Sequence, residues 1–184
     1  MASELYVETL KGLTSGANAN KVIIPSGQTL DITDWSPPAG TVIGHHHHTF
    51  STQQQSTSDT FADVGDSSFS YTPKSDNSYL YITVNAHINV FASSDTSAGG
   101  AFNVLVDGTA INEVGANAYE IFSGRPSSTE INEYARYIKQ VRYTNTSTSA
   151  KTIKLNFRKY GGTRITFNLN SNFTTSITVL EIAG

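Results

Sequence analysis

Four consecutive histidines, His45-His46-His47-His48, form the densest run of metal-ligating side chains in this 184-residue chain. Thr41-Val42-Ile43-Gly44 leads into them and Thr49-Phe50 follows, a β-branched and aromatic setting that favours a strand. In a strand, alternate residues share a face, so His46 and His48 point one way and His45 and His47 the other. One such pair from each of three chains around an axis would supply six imidazole nitrogens. That set suits an octahedral transition metal such as Fe, Ni, Co or Zn. Val42 and Phe50 share the parity of His46 and His48, which makes those two the first choice of ligands. His45 and His47 are the alternative. A solvated histidine loop, or an introduced tag at an odd internal position, accounts for the same run without a metal.

The carboxylates Glu113, Glu120, Glu130 and Glu133 also gather in sequence. A pair of them would serve a glycosidase. The plainer reading is a solvated acidic loop with Arg125 and Arg136 as partners. His87 lies on the polar side of a strand, where a surface or interface role outweighs a catalytic one. Tyr79, Tyr81 and Phe91 share that side. Large aromatics on a second face imply packing against another layer or subunit, with sugar stacking as the alternative. No Gly-x-Ser-x-Gly elbow, P-loop, His-Glu-x-x-His or cysteine nucleophile is present, so no catalytic residue is assigned and an enzyme is not expected.

These residues must be held by strands. From Tyr79 to Ala92, Leu80, Ile82, Val84, Ala86, Ile88, Val90 and Ala92 fall on one parity and polar or aromatic residues on the other, the pattern of a long strand with one buried face. Phe102–Val106 runs into Asp107-Gly108, a hairpin signal, and then Thr109-Ala110-Ile111. Tyr137–Tyr143, Ile153–Phe157, Ile165–Leu169 and Ser176–Ile182 read as further strands. Ser127–Arg136 has weak helical spacing and is the one stretch where a short helical turn competes. Many short antiparallel strands imply an all-β chain, a sandwich of jelly-roll type.

Three zones follow. Residues 1–41 are short extended pieces broken by Pro25, Gly27 and Trp35-Ser36-Pro37-Pro38-Ala39-Gly40, an N-terminal attachment or stalk segment. Such pieces make no core alone but could do so if three chains wrapped about an axis. Residues 42–60 are a His-containing connecting strand and polar linker. Residues 61–184 are the sandwich domain. Its candidate binding loops are Ser93–Gly100, Gly115–Arg125 and Gly161–Thr163, rich in small polar residues.

The net charge of −3 and pI near 5.9 offer nothing to a phosphate backbone, so nucleic acid is not an expected partner. No run approaches the ~18 apolar residues that span a bilayer, and no signal peptide is visible, so no membrane insertion and synthesis in a cytoplasm are expected. The chain has no cysteine, which leaves oligomerisation as the natural source of extra stability.

Lys21-Val22-Ile23-Ile24-Pro25-Ser26-Gly27-Gln28-Thr29-Leu30-Asp31 resembles the short repeat that precedes a small terminal domain in tailed-phage tail fibres. Glu4–Leu10 resembles their opening segment, Phe61–Gly65 and Phe69–Pro73 the start of their terminal sandwich, and Ile177–Ile182 its last strand. The chain departs from the pattern at His45–His48, where alternating Val and Gln would be expected. The histidine pairs in turn resemble the metal sites of some phage spikes and fibres. The resemblance implies a homotrimeric virion protein that docks on other virion proteins through its N-terminus and meets a host surface glycan or protein at its C-terminal end. A capsid decoration or head fibre without receptor role, and a small polysaccharide-degrading tailspike, are the alternatives.

Overall fold

The computed structural model describes residues 37–93, 97–111, 120–124, 130–170 and 172–184; the expected stalk segment up to residue 36, and parts of two candidate loops, lie outside them. Pro37–Gly184 forms one compact unit. Among the described residues there are strands and turns but no helix. In chain order the strands are β1 (Val42–Phe50), β2 (Gln54–Ser56), β3 (Ala62–Asp63), β4 (Phe69–Tyr71), β5 (Ser78–Ala92) and β6 (Ser97–Val106). They continue with β7 (Thr109–Ile111), β8 (Ile121–Gly124), β9 (Ile131–Asn145), β10 (Lys151–Lys159), β11 (Arg164–Phe167) and β12 (Thr175–Ala183).

The strands make two antiparallel sheets packed as a β-sandwich. The first sheet is organised by β5. One edge of β5 pairs with β12 and then β11, β1 and β2 extend those two strands, and β9 runs along its whole other edge. In the second sheet β10 pairs with β6 on one side and with β3 and β4 on the other, while β7 and β8 complete β6. All seven apolar residues of the buried parity of β5 lie inside. They face Phe102, Val104 and Val106 of β6 and Ile153, Leu155 and Phe157 of β10. Phe167 of β11 meets Phe102 and Phe157 edge-on, with centroids 5.6 and 5.2 Å away, an arrangement aromatic quadrupoles favour across a two-layer core. The Asp107-Gly108 hairpin turn between β6 and β7 has positive φ at both residues, as a type I′ turn requires.

Three expectations change. The stretch 42–60, read as a connection ahead of the sandwich, contributes β1 and β2 to its first sheet. In place of a helical turn ending at Arg136, strand β9 already starts at Ile131, because β5 offers it fifteen residues of continuous ladder and weak local spacing cannot compete. β11 stops at Phe167 rather than reaching Leu169, because Asn168 turns to φ 48°. Its buried side chain is tied there: Nδ2 donates to the Phe50 carbonyl (3.0 Å), and Oδ1 accepts from the Thr175 hydroxyl (2.9 Å).

Candidate binding surfaces

The histidine run is strand β1, antiparallel to β12, with His45 opposite Leu180 and His47 opposite Thr178. The two parities have different surroundings. His46 and His48 face inward with Phe50, and both rings stack on Phe69 of β4, at centroid distances of 4.8 and 4.9 Å. Nε2 of His48 also lies 2.8 Å from the Asp66 carbonyl. This pair closes the seam between the sheets. His45 and His47 are exposed on the outer side, where Nδ1 of His47 lies 2.9 Å from the Thr178 hydroxyl. Val42 does not share the inward parity, because a register shift between Val42 and Gly44 turns it outward opposite Ile182. A bulge of this kind inverts every side chain beyond it. Among the described residues of one chain, no three His, Asp or Glu side chains come together as a ligand set.

Behind the histidines stands a buried carboxylate that sequence reading passed over. Glu181 of β12 is fully buried. Tyr71 donates to it at 2.7 Å, Ser78 through its hydroxyl at 2.8 Å, and the backbone N–H groups of Lys74 and Ser75 at 2.8 and 3.1 Å. Asn145 donates to the Ser75 carbonyl at 2.6 Å and ties the start of β5 and the end of β9 into the same knot. Burial, then the bond to Glu181, pushes the Tyr71 phenol well above its ordinary range. Gly44 lies over this pair. A Cβ there would sit well inside contact distance of the Tyr71 hydroxyl and 2.9 Å from Glu181 Oε2. One signal for Glu181 was available. It occupies the apolar parity of an alternating strand, between Val179 and Ala183.

The candidate loops converge. Ser93 donates through its backbone to Thr163 Oγ1 (3.3 Å), Tyr160 to the Gly99 carbonyl (2.8 Å) and Thr163 to the Phe91 carbonyl (2.8 Å). β8, inside the Gly115–Arg125 segment, pairs with Ser97–Gly100. The described parts of all three loops therefore share one end of the sandwich. The chain enters at the other end, where Gly40 donates to the Ala183 carbonyl (2.9 Å) and Ala183 to the Thr41 carbonyl (2.8 Å).

The remaining candidates separate. Glu120 is held by Lys139 Nζ at 2.6 Å. Lys139 also donates to the Phe102 carbonyl at 2.7 Å. Glu133 and Arg136 lie on opposite faces of β9, and Arg136 donates to Asn85 Oδ1 (3.3 Å). Tyr137 has its phenol raised by burial, with a further contribution from Glu133. Glu113 and Arg125 lie outside the described residues. His87 is buried beneath Phe173, ring on ring at 3.7 Å, and its basicity is lowered by burial and then by Arg136. Phe91 is covered by the Arg164 guanidinium at 4.0 Å. Neither a family model nor a curated protein matches this chain.

Proposed function

We propose that this protein is a homotrimeric virion fibre subunit whose N-terminal segment docks on other virion proteins and whose loop end meets a glycan or protein on the host cell surface. One observation carries the reading: the chain enters the sandwich at one end, and the three candidate loops gather at the other. β5 runs between the two ends, and its fifteen residues at about 3.3 Å each separate them by on the order of 45 Å. A domain anchored at one pole and loop-bearing at the other is what a receptor-facing tip requires, since recognition concentrates on loops held by a rigid scaffold. The likeness of Lys21–Asp31 to fibre repeats supplies the virion context. A transition metal (Fe, Zn or Ni) shared between copies belongs to the same reading. His45 and His47 are the pair open to a neighbouring chain, while His46 and His48 are engaged with Phe69 and Asp66.

Native mass spectrometry of the full chain before and after chelation tests the assembly. The expected result is a trimer, with any bound metal released by the chelator, and a monomer overturns the reading. Fluorescently labelled protein tests the role. Binding to host cells that is lost when Gly161–Thr163 is exchanged supports receptor recognition. Binding to purified capsids alone supports a head fibre instead.

A further inference from the structure

The outward face of the first sheet carries every large apolar side chain that the described residues leave exposed: Val42 (57%), Leu180 (38%), Tyr134 (47%) and Ile138 (73%). Register places them on one surface. Val42 lies opposite Ile182 and Ile182 opposite Tyr79, so these three form one row across β1, β12 and β5. His45, Leu180 and Tyr81 form the next, and Tyr81 lies opposite Arg142 of β9. Ile138 and Tyr134 extend the surface along β9. No carboxylate points outward from β1, β12, β5 or β9 on this side. The second sheet differs: its outward Lys154 is paired with Asp63 at 2.6 Å.

We propose that this face is where copies of the chain join, centred on Val42, Leu180, Ile182, Tyr79 and Tyr81. The inference rests on the trimeric reading above and says which surface builds the trimer. Its anatomy fits: Val42, Leu180, Ile182, Tyr79 and Tyr81 adjoin across β1, β12 and β5, and the two outward cations of these four strands stand on the marginal strand β9, as rim residues do. Both are engaged within their own copy, Arg142 over the Tyr79 ring at 5.0 Å and Arg136 with Asn85, so association leaves neither unpaired. Its extent fits as well. Two strands of fifteen residues and two of nine, spaced about 4.8 Å apart, span roughly 760 Å², less the end of β5 where Phe173 and Arg164 cover His87 and Phe91. Stable interfaces use about 800 Å² per partner. Its position favours a second copy over another protein. The 36 residues that precede Pro37 join the sandwich at the Val42 end of this face. Copies joined here bring their Gly40–Val42 ends together, as a common stalk requires. The loop end is left free for the receptor.

The absence of native cysteine makes the test direct. Val42→Cys and, on the opposite sheet, Lys154→Cys are each made in the full chain and treated with a short bis-maleimide. Leu180→Glu is measured by light scattering, with circular dichroism as the check on folding. The expected result is a wild-type trimer, cross-linking between copies at position 42 but not at 154, and dissociation of Leu180→Glu at least ~10-fold more readily with its β-sheet spectrum retained. A wild-type trimer with no cross-link at 42, or with cross-linking at 154 alone, overturns this face and leaves the trimeric reading standing. A wild-type monomer overturns both. Should Leu180→Glu fail to fold, the cross-linking of the two cysteine variants decides.

Discussion

The two ends of the sandwich are built on different principles. At the entry end, Glu181 gathers Tyr71, Lys74, Ser75 and Ser78, and Asn145 locks the same region from β9. At the loop end, Tyr160 and Thr163 donate through their backbones to the Gly99 and Phe91 carbonyls, Ser93 donates to the Thr163 hydroxyl, and the charged groups are guanidinium groups laid on rings, Arg158 over Tyr160 and Arg164 over Phe91. A buried carboxylate that meets several donors specifies one arrangement, because any displacement strands both the charge and its donors. Loops joined by a few backbone bonds keep their fold while their side chains vary. On the proposed reading, the end nearest the neighbouring copies is fixed by a buried carboxylate, and the end offered to a receptor is fixed by main-chain bonds and ring contacts.

The largest test of that contrast is Glu181→Ala. It leaves two hydroxyls and two N–H groups without their acceptor, and about 3–5 kcal/mol of stability should be lost in denaturant unfolding. Glu181→Gln should lose less, since it keeps an acceptor oxygen. A loss below ~1 kcal/mol for the alanine variant would mean that the knot contributes no more than ordinary surface bonds. Gly44→Ala strikes the same knot from above, and forcing Tyr71 aside should cost about 1–3 kcal/mol. At the loop end, Gly162→Ala places a Cβ on a residue with φ +71°, 2.9 Å from both Ala98 Cβ and the Phe91 carbonyl oxygen. The expected cost is about 1–3 kcal/mol, smaller than at Glu181, and it falls on the Thr163 bond to that same carbonyl.

pH sharpens the comparison from both sides. The Tyr71 phenol is raised in the folded chain, so its contribution is complete below about pH 10 and is lost as pH climbs beyond it, where the unfolded chain releases the proton first. Tyr71→Phe should flatten that alkaline decline. His87 is lowered, so its contribution is present above about pH 6.5 and is lost as pH falls below, where only the unfolded chain readily takes the proton. His87→Gln should flatten the acid side of the stability profile and leave the alkaline side alone. The smallest effect belongs to the exposed pair Lys154–Asp63, where Asp63→Ala should change stability by no more than ~0.5 kcal/mol.

The sequence was most legible where one strand carries a single unbroken period. Leu80 to Ala92 declared its buried face through alternation alone, and Asp107-Gly108 declared its turn. Legibility failed where neighbours decide. The parity of the histidines was argued from Val42 and Phe50, but a bulge at Val42–Gly44 separates those two residues, and no local pattern announces a bulge. The weak helical spacing before Arg136 gave way to a partner strand, and Phe91 and His87, outward by parity, are covered by Arg164 of the neighbouring strand β11 and by Phe173 from the turn before β12. Glu120 and Glu133, gathered in one acidic stretch of the sequence, were drawn to different neighbours.

By itself, the sequence determined the all-β class, the antiparallel character and the inward faces of the principal strands, because these follow from a two-residue period and from turn chemistry that each segment carries alone. Only the tertiary structure decided which side of β1 meets Phe69, that Glu181 lies at the centre of a knot, that the candidate loops share one end, and that the exposed apolar residues share one face. Each of these depends on register between strands distant in the chain. A shift of one residue in that register would turn every side chain to the other side of its sheet.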